Sequence, residues 1–275
     1  MGDFLTFKHS FNSGDLITML PGLQKMYFEK GKKFKGYQRL DMPAYYFDDA
    51  KHPVTTDGVQ VCMNKAVFDM MKPLLESQDY IESFDVWQGE KVTYDFDLTR
   101  HNAQIPIPNG SIHSWVTLAF PFLETDLSVP WLSFPKMTPI NGKMISTFHD
   151  KILINRTRRY KNPYIDYFFL KEHTDKIKFI GLKDEHEEFC NQFNIEIEHL
   201  DVHNFYALAY IIANCRFFVG NQSLCWHLAD ATKQKRILEI CTAFPNCFPT
   251  GKDGHSFVSQ GSLEYQFNEL LKETA

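Results

Sequence analysis

The sequence predicts an α/β protein of two Rossmann-like domains with parallel sheets, and three observations carry that prediction. Over residues 151–240, short apolar runs alternate with stretches of helical spacing, the order that builds a parallel, doubly wound sheet. A strand, a glycine turn and a helix open the chain at residues 4–29, and the same unit returns at residues 215–231. Between the halves, Pro135, Pro139, Asn141 and Gly142 break any regular element. At 275 residues there is room for two compact domains of ordinary size. The expected division is residues 1–140, residues 141–261, and a C-terminal helix at 262–275 that could cross back over the first domain.

In the first half, residues 4–10 read as a strand and Asn12-Ser13-Gly14-Asp15 as a turn. Leu16, Met19, Leu20, Leu23, Met26 and Tyr27 then recur at helical spacing until Gly31 ends the helix. Pro21 lies inside that pattern and predicts a kink or a late helix start. Residues 35–58 are rich in turn formers, among them Asp48, Asp49 and Gly58, with one strand at 37–40. A helix follows at 64–77, then strands at 80–87 and 92–98. Pro106, Pro108, Asn109 and Gly110 make a loop, and an apolar, aromatic segment runs through 111–134. In the second half, strands are expected at 151–155, 177–181, 195–198, 216–219 and 236–240. Helices at 165–173, 184–193, 204–213 and 223–232 separate them, and a last helix covers 262–272. There is no internal repeat beyond this shared architecture.

Composition bounds the function. A hydrophobic fraction of 44% supports a sizeable core, and a net charge of −5 supplies no global basic field for nucleic acid. Six cysteines lie scattered without a Cys-x-x-Cys pair, several inside apolar runs, as expected of free thiols in a reducing compartment. No run is long and apolar enough to span a membrane, and the first residues lack a signal-peptide pattern. The expectation is a soluble, cytoplasmic protein.

Residues 215–231 concentrate the candidate chemistry. Residues 216–219 read as a buried strand, Gly220-Asn221 as a tight turn, and a helix opens near Gln222 or Ser223. The first turn of a helix has free N–H groups at the positive end of the dipole, so it is a ready anion site. Ser223 and His227 share one face of that helix and together suggest a phosphate-gripping corner. The plainer reading makes Ser223 a helix cap and His227 a packing residue. Two α/β domains imply a cleft, and ligands of such folds sit beyond the carboxyl ends of strands. That expectation sets Asp15 and the Ser223/His227 pair on opposite walls. Asp95-Phe96-Asp97 has the spacing of a divalent-metal motif, but its alternation reads better as an ordinary strand. His199 and His203 have a helical metal-ligand spacing yet fall on a strand end and a loop. No metal site is therefore expected.

The stretch Ser13-Gly14-Asp15-Leu16-Ile17, followed by Leu20-Pro21-Gly22-Leu23, resembles the N-terminal signature of the ADP-heptose:lipopolysaccharide heptosyltransferase family. Members of that family are inverting, metal-independent glycosyltransferases of the GT-B fold. Val219-Gly220-Asn221-Gln222-Ser223, with His227-Leu228-Ala229 and Ala231, resembles the family's donor-binding strand, loop and helix. Two motifs in the right order are more specific than either alone. Pro130-Trp131-Leu132 and residues 181–185 are weaker echoes.

The resemblance implies two parallel sheets facing across a cleft and transfer of a sugar from a nucleotide-diphosphate donor to a hydroxyl acceptor. It implies no cofactor. Asp15 matches the family's proposed base, which takes the acceptor proton; by itself, Asp15 also reads as a helix N-cap. Arg156 or Arg158, then Lys161, match the phosphate-facing positions, and Gly181 and Glu185 the nucleoside site. Ser13, Gly14, Asn221, Gln222, Ser223 and His227 complete the donor-binding set. Two positions depart from the pattern: Gln222 stands where the family usually has an acid, and Leu224 where it usually has glycine. Leucine there puts the usual diphosphate pose, and heptose as the sugar, in question. The acceptor is a glycan or another hydroxyl compound; the net charge does not favour nucleic acid. The rival expectations are a sugar-nucleotide epimerase or hydrolase of the same fold, and a non-catalytic member that only binds a nucleotide or partner.

Overall fold

The computed structural model describes residues 3–45, 52–101, 111–134 and 148–274, with the backbone alone at Arg100 and His101. The turn formers Asp48 and Asp49, the expected loop at 106–110 and the expected break at 135–143 lie outside these residues. The described residues fall into two compact units. Unit 1 comprises those of Met1–Leu127, Trp131–Phe134 and Asn204–Tyr206; unit 2 those of Ser128–Pro130, Pro135–His203 and Ala207–Ala275.

Unit 1 begins with strand β1 (Leu5–His9), helix α1 (Ser13–Lys30) and strand β2 (Phe34–Gln38). A small hairpin of β3 (Thr55–Thr56) and β4 (Val59–Gln60) follows, then α2 (Lys65–Glu76), β5 (Ile81–Val86), β6 (Tyr94–Asp95), α3 (Leu98–His101) and α4 (Ile112–Ala119). The main sheet has the order β5-β2-β1-β6, and every pairing is parallel. Phe7 on the central strand packs on Phe34, Phe84 and Phe96 at ring distances of 6.2, 6.5 and 5.9 Å, which centres the core under β1. Pro21 neither delays nor ends α1. A proline there leaves the carbonyl of Ile17 without its helical donor, and the indole Nε1–H of Trp131 donates to that oxygen at 3.1 Å. The stretch expected as a strand at 92–98 pairs over only two residues before α3 starts.

Unit 2 contains β7 (Ile152–Asn155), a 3-10 helix (Phe168–Lys176), β8 (Ile177–Ile180), α5 (Lys183–Phe193) and β9 (Glu198–Leu200). After α6 (Phe205–Ala213) come β10 (Phe217–Asn221), α7 (Leu224–Thr232), β11 (Arg236–Glu239), β12 (Gly254–Phe257) and α8 (Gln260–Glu273). The six-stranded sheet has the order β12-β11-β10-β7-β8-β9 and is parallel throughout. The chain thus runs outward from β7 to one edge, returns to the centre at β10, and runs outward to the other. Ile152, Ile154, Phe179, Phe217, Val219 and Ile237 from the strands meet Phe189, Phe193, Leu263, Phe267 and Leu270 from α5 and α8 in one core. The buried face of α8 belongs to this core. Strand β12, absent from the sequence expectation, forms the edge under α8.

Candidate active site

In unit 1 the helix α1 starts one turn earlier than its apolar spacing suggests. Asn12 is extended and is the N-cap, so Asp15 is the third helical residue and not part of a preceding turn. Asp15 Oδ2 accepts from the Asn12 backbone N–H at 3.3 Å, the returning half of a capping box. The side chain is 8% exposed, and Ser13 and Gly14 are buried in the same turn.

Beside α1, the sheet order reverses between β1 and β6, and the carboxyl ends of these strands gather Lys8, Ser10, Asp95 and Asp97. The Lys8 ammonium lies 2.8 Å from Asp95 Oδ2 and 3.1 Å from Asp97 Oδ2, and Ser10 Oγ donates to Asp97 Oδ2 at 2.7 Å. A lysine therefore stands where an Asp-x-Asp pair would hold a divalent ion. Among the described residues, no group of three or more His, Cys, Asp or Glu is placed to hold a metal. His199 is on β9 and its ring lies 2.8 Å from the Gly181 carbonyl, a packing role.

The corresponding reversal in unit 2 lies between β7 and β10, the position where doubly wound sheets open a crevice at their carboxyl edge. Two polar residues close apolar strand runs there. Asn155 ends β7, and its Nδ2 donates to the Ile180 carbonyl at 2.7 Å. Ser223 Oγ donates to Asn155 Oδ1 at 2.7 Å and also caps α7 by accepting from the Trp226 N–H at 3.3 Å. The N–H groups of Leu224 and Cys225 have no preceding helical turn to satisfy them. Glycine is required on both sides of Asn155: a Cβ on Gly220 would lie 2.7 Å from the Asn155 carbonyl oxygen, and one on Gly181 2.6 Å from its Nδ2.

Gly220 and Asn221 are not a turn. They continue β10, in register with Leu238 and Glu239 of β11. Asn221 is fully buried, and its amide grips the chain after β7. Its Oδ1 accepts from Thr157 N–H at 2.9 Å, and its Nδ2 donates to the carbonyls of Thr157 and Arg159 at 3.1 and 2.6 Å. Gln222 turns toward the 241–246 segment. Its Oε1 accepts from the Cys241 N–H at 2.9 Å, and its Nε2 donates to the Phe244 carbonyl at 3.0 Å. A carboxylate could make the first bond but would repel the second, which explains glutamine at this position. His227 is buried, with Nε2 3.7 Å from the Cys247 sulfur.

The basic residues of the 156–162 segment divide in two. Arg156, expected to face phosphate, is 4% exposed and forms a two-pronged pair with fully buried Glu239, Nε to Oε2 at 2.8 Å and Nη2 to Oε1 at 2.9 Å. Burial works against its charge, but Glu239 more than offsets this and raises the Arg156 pKa. Arg158 and Lys161 point to α5 instead. Arg158 pairs with Asp184 and Glu188, and Lys161 with Glu188, each at 2.6 Å. Burial pushes the Glu188 pKa up, yet these two cations hold it below the ordinary range. Glu185, in the first turn of α5, accepts from the Arg158 backbone N–H at 3.2 Å. Its burial raises its pKa against the pull of Arg158 and Arg159. Arg158, Lys161, Glu185 and Glu188 line one narrow crevice.

No family model and no curated protein matches the chain. Solved structures do. The E. coli heptosyltransferase WaaC with ADP-2-deoxy-2-fluoro heptose superposes with a TM-score of 0.58 at 12% identity, over 98% of this chain and 99% of that one. E. coli ADP-heptose LPS heptosyltransferase II gives 0.59 at 11% identity, over 99% and 100%. The iron-containing dodecameric glycosyltransferase TibC of enterotoxigenic E. coli H10407 gives 0.53 at 11% identity, over 99% and 77%. The fold is that of the GT-B heptosyltransferases. At these identities the likeness is one of fold, spread over nearly the whole chain. The residues that sequence reasoning missed, Asn155 and Glu239, share one legible signal: each is a polar residue closing an apolar strand run at its carboxyl end.

Proposed function

We propose that this protein is a glycosyltransferase that moves a sugar from a nucleoside-diphosphate donor to a hydroxyl acceptor by inverting displacement without a metal. The observation that carries the reading is the carboxyl edge of unit 2 at β7 and β10. There, the open first-turn N–H groups of α7 and the cationic 156–162 segment flank the strand reversal. An anionic leaving group is met at such a place by helix N–H groups and fixed cations. In this reading Arg158, Lys161 and the start of α7 bind the diphosphate, Ser223 and Asn155 fix the α7 terminus, and Glu185 accepts from ribose hydroxyls. Asp15 takes the proton of the acceptor hydroxyl as its oxygen attacks the anomeric carbon. Lys8 supports the metal-free reading, because its ammonium already bridges the Asp95 and Asp97 carboxylates.

The test is thermal stabilisation by ADP, UDP, GDP and CDP and their sugar conjugates, with and without EDTA. Stabilisation by one base series, unchanged by EDTA, is the expected result; dependence on added metal would overturn the metal-free part. With the donor known, Asp15→Asn is expected to lower transfer by roughly a hundredfold or more while nucleotide binding persists. Leu224 at the first position of α7, in place of glycine, favours a non-catalytic nucleotide-binding reading. That reading predicts stabilisation by the nucleotide and no turnover of any sugar conjugate, with or without acceptor.

A further inference from the structure

The 156–162 segment is held from two neighbouring strand ends. Glu239, which closes β11 with no exposed surface, accepts four hydrogen bonds. They come from Arg156 Nε and Nη2, from the Asn162 backbone N–H at 2.6 Å and from the Tyr167 hydroxyl at 2.7 Å. Arg156 Nη2 also donates to the Asn162 carbonyl at 3.1 Å, so that one carboxylate and one guanidinium close the segment into a ring. Asn221, directly across from Glu239 in the β10–β11 register, holds its middle at Thr157 and Arg159. Asn162 Nδ2 donates to the Val258 carbonyl at 3.0 Å, tying the far end of the segment to the chain after β12. The side chains left out of this frame include Arg158 and Lys161, the two that turn toward α5.

We infer that Glu239 and Asn221 are positioning residues for the diphosphate of the donor, and that Arg156 is a strut of the same frame and not a phosphate ligand. The inference rests on the donor site proposed above and adds the residues that hold it in shape. Fold stability alone does not account for the frame. A buried ion pair is commonly replaceable by apolar side chains of like volume at no cost in stability, whereas a fully satisfied polar network fixes one geometry. Asn221 closes β10 at the β7–β10 reversal and Glu239 closes β11 on its outer side, and each anchored backbone position lies beside one of the two cations in the chain. If the frame loosens, Arg158 and Lys161 lose their fixed separation, and a planar or point-charge contact with phosphate oxygens loses its alignment.

The experiment compares binding of a nucleoside, its monophosphate and its diphosphate, using the base that stabilises the wild-type protein most. Three proteins are measured: wild type, Glu239→Gln, and the double variant Arg156→Met with Glu239→Gln. The double variant removes both buried charges together, so it leaves no uncompensated ion and guards against a single variant that fails to fold. Wild type is expected to prefer the diphosphate over the nucleoside by at least about tenfold, the scale of one charge-assisted hydrogen bond. In a folded double variant that preference is expected to fall toward unity while nucleoside affinity stays within about threefold of wild type. A purely structural role would lower the thermal midpoint and leave the preference intact, and that result overturns the inference. Equal loss of nucleoside and diphosphate affinity in a folded variant also overturns it. If wild type binds no nucleoside diphosphate, the donor-site reading itself fails first, and the positioning role falls with it.

Discussion

Glu185 is buried in the first turn of α5, and loss of hydration raises its pKa above the ordinary glutamate value. In the unfolded chain it ionises at the ordinary value, so between the two the folded state holds more protons. Stability contributed by this group therefore falls as pH rises through that window, and the full penalty persists above the raised value. Glu185→Gln is expected to raise the thermal midpoint at pH 7 and to leave it unchanged below the ordinary glutamate range. An equal gain at both pH values would show that the carboxylate charge is not the cause. The same variant is expected to weaken nucleoside binding about tenfold, because a buried carboxylate is kept for what it hydrogen-bonds. At this scale the sequence shows which residue types gather but not who their partners are. The 156–162 segment is recognisably cationic, yet its first arginine is claimed by a glutamate 83 positions away. The Asp95 and Asp97 pair is likewise filled by Lys8, 87 positions from Asp95. Gln222 departs from the family pattern in sequence, and only the backbone at Cys241 and Phe244 explains why.

At the scale of elements, α5 faces the 156–162 segment with a carboxylate for each free-reaching cation. The pairs of Glu188 with Arg158 and Lys161 are 27–39% exposed, so they add little to fold stability. They do compete with any anion for the same cations. Glu188→Gln is expected to leave the thermal midpoint nearly unchanged and to strengthen nucleoside-diphosphate binding roughly two- to fivefold at low salt, an advantage that fades as salt rises. Weaker binding in that variant would mean that Glu188 aims the cations instead of occupying them. Most elements are legible because their signals are local. Apolar runs mark β1, β7, β8 and β10, and helical spacing marks α1, α2, α5 and α7. The misses have physical causes. Gly-Asn reads as a turn, but at Gly220-Asn221 cross-strand pairing with β7 and β11 overrides the local preference. Helical spacing does not separate α from 3-10 geometry, so the helix expected at 165–173 is a 3-10 helix at Phe168–Lys176. Strand β12 is short and polar at its start, and only its pairing with β11 makes it a strand.

For the molecule as a whole, the parallel sheets and their separate cores account for a fold shared with heptosyltransferases at 11–12% identity. Doubly wound units are specified by the alternation of apolar strands and half-apolar helices, which many sequences satisfy, and the alternation was what the sequence made plainest. Each unit also carries its own buried thiols, which allows ligand binding to be assigned to a unit. Cys62 is buried in unit 1; Cys215 and Cys225 are buried in unit 2, where loss of hydration pushes both thiols up to about 12. Near pH 8 these two are therefore neither accessible nor ionised in the folded state, and alkylation requires that unit 2 open. A ligand that binds only folded unit 2 lowers the open population by the factor 1 + [L]/Kd, about a hundredfold at a ligand concentration a hundred times Kd. With the stabilising nucleoside diphosphate present, alkylation of Cys215 and Cys225 followed by mass spectrometry is expected to slow by about that factor. Labelling of Cys62 is expected to keep its rate. Equal slowing at all three thiols would show that the chain opens as one cooperative body, and slowing at Cys62 alone would move the donor site out of unit 2.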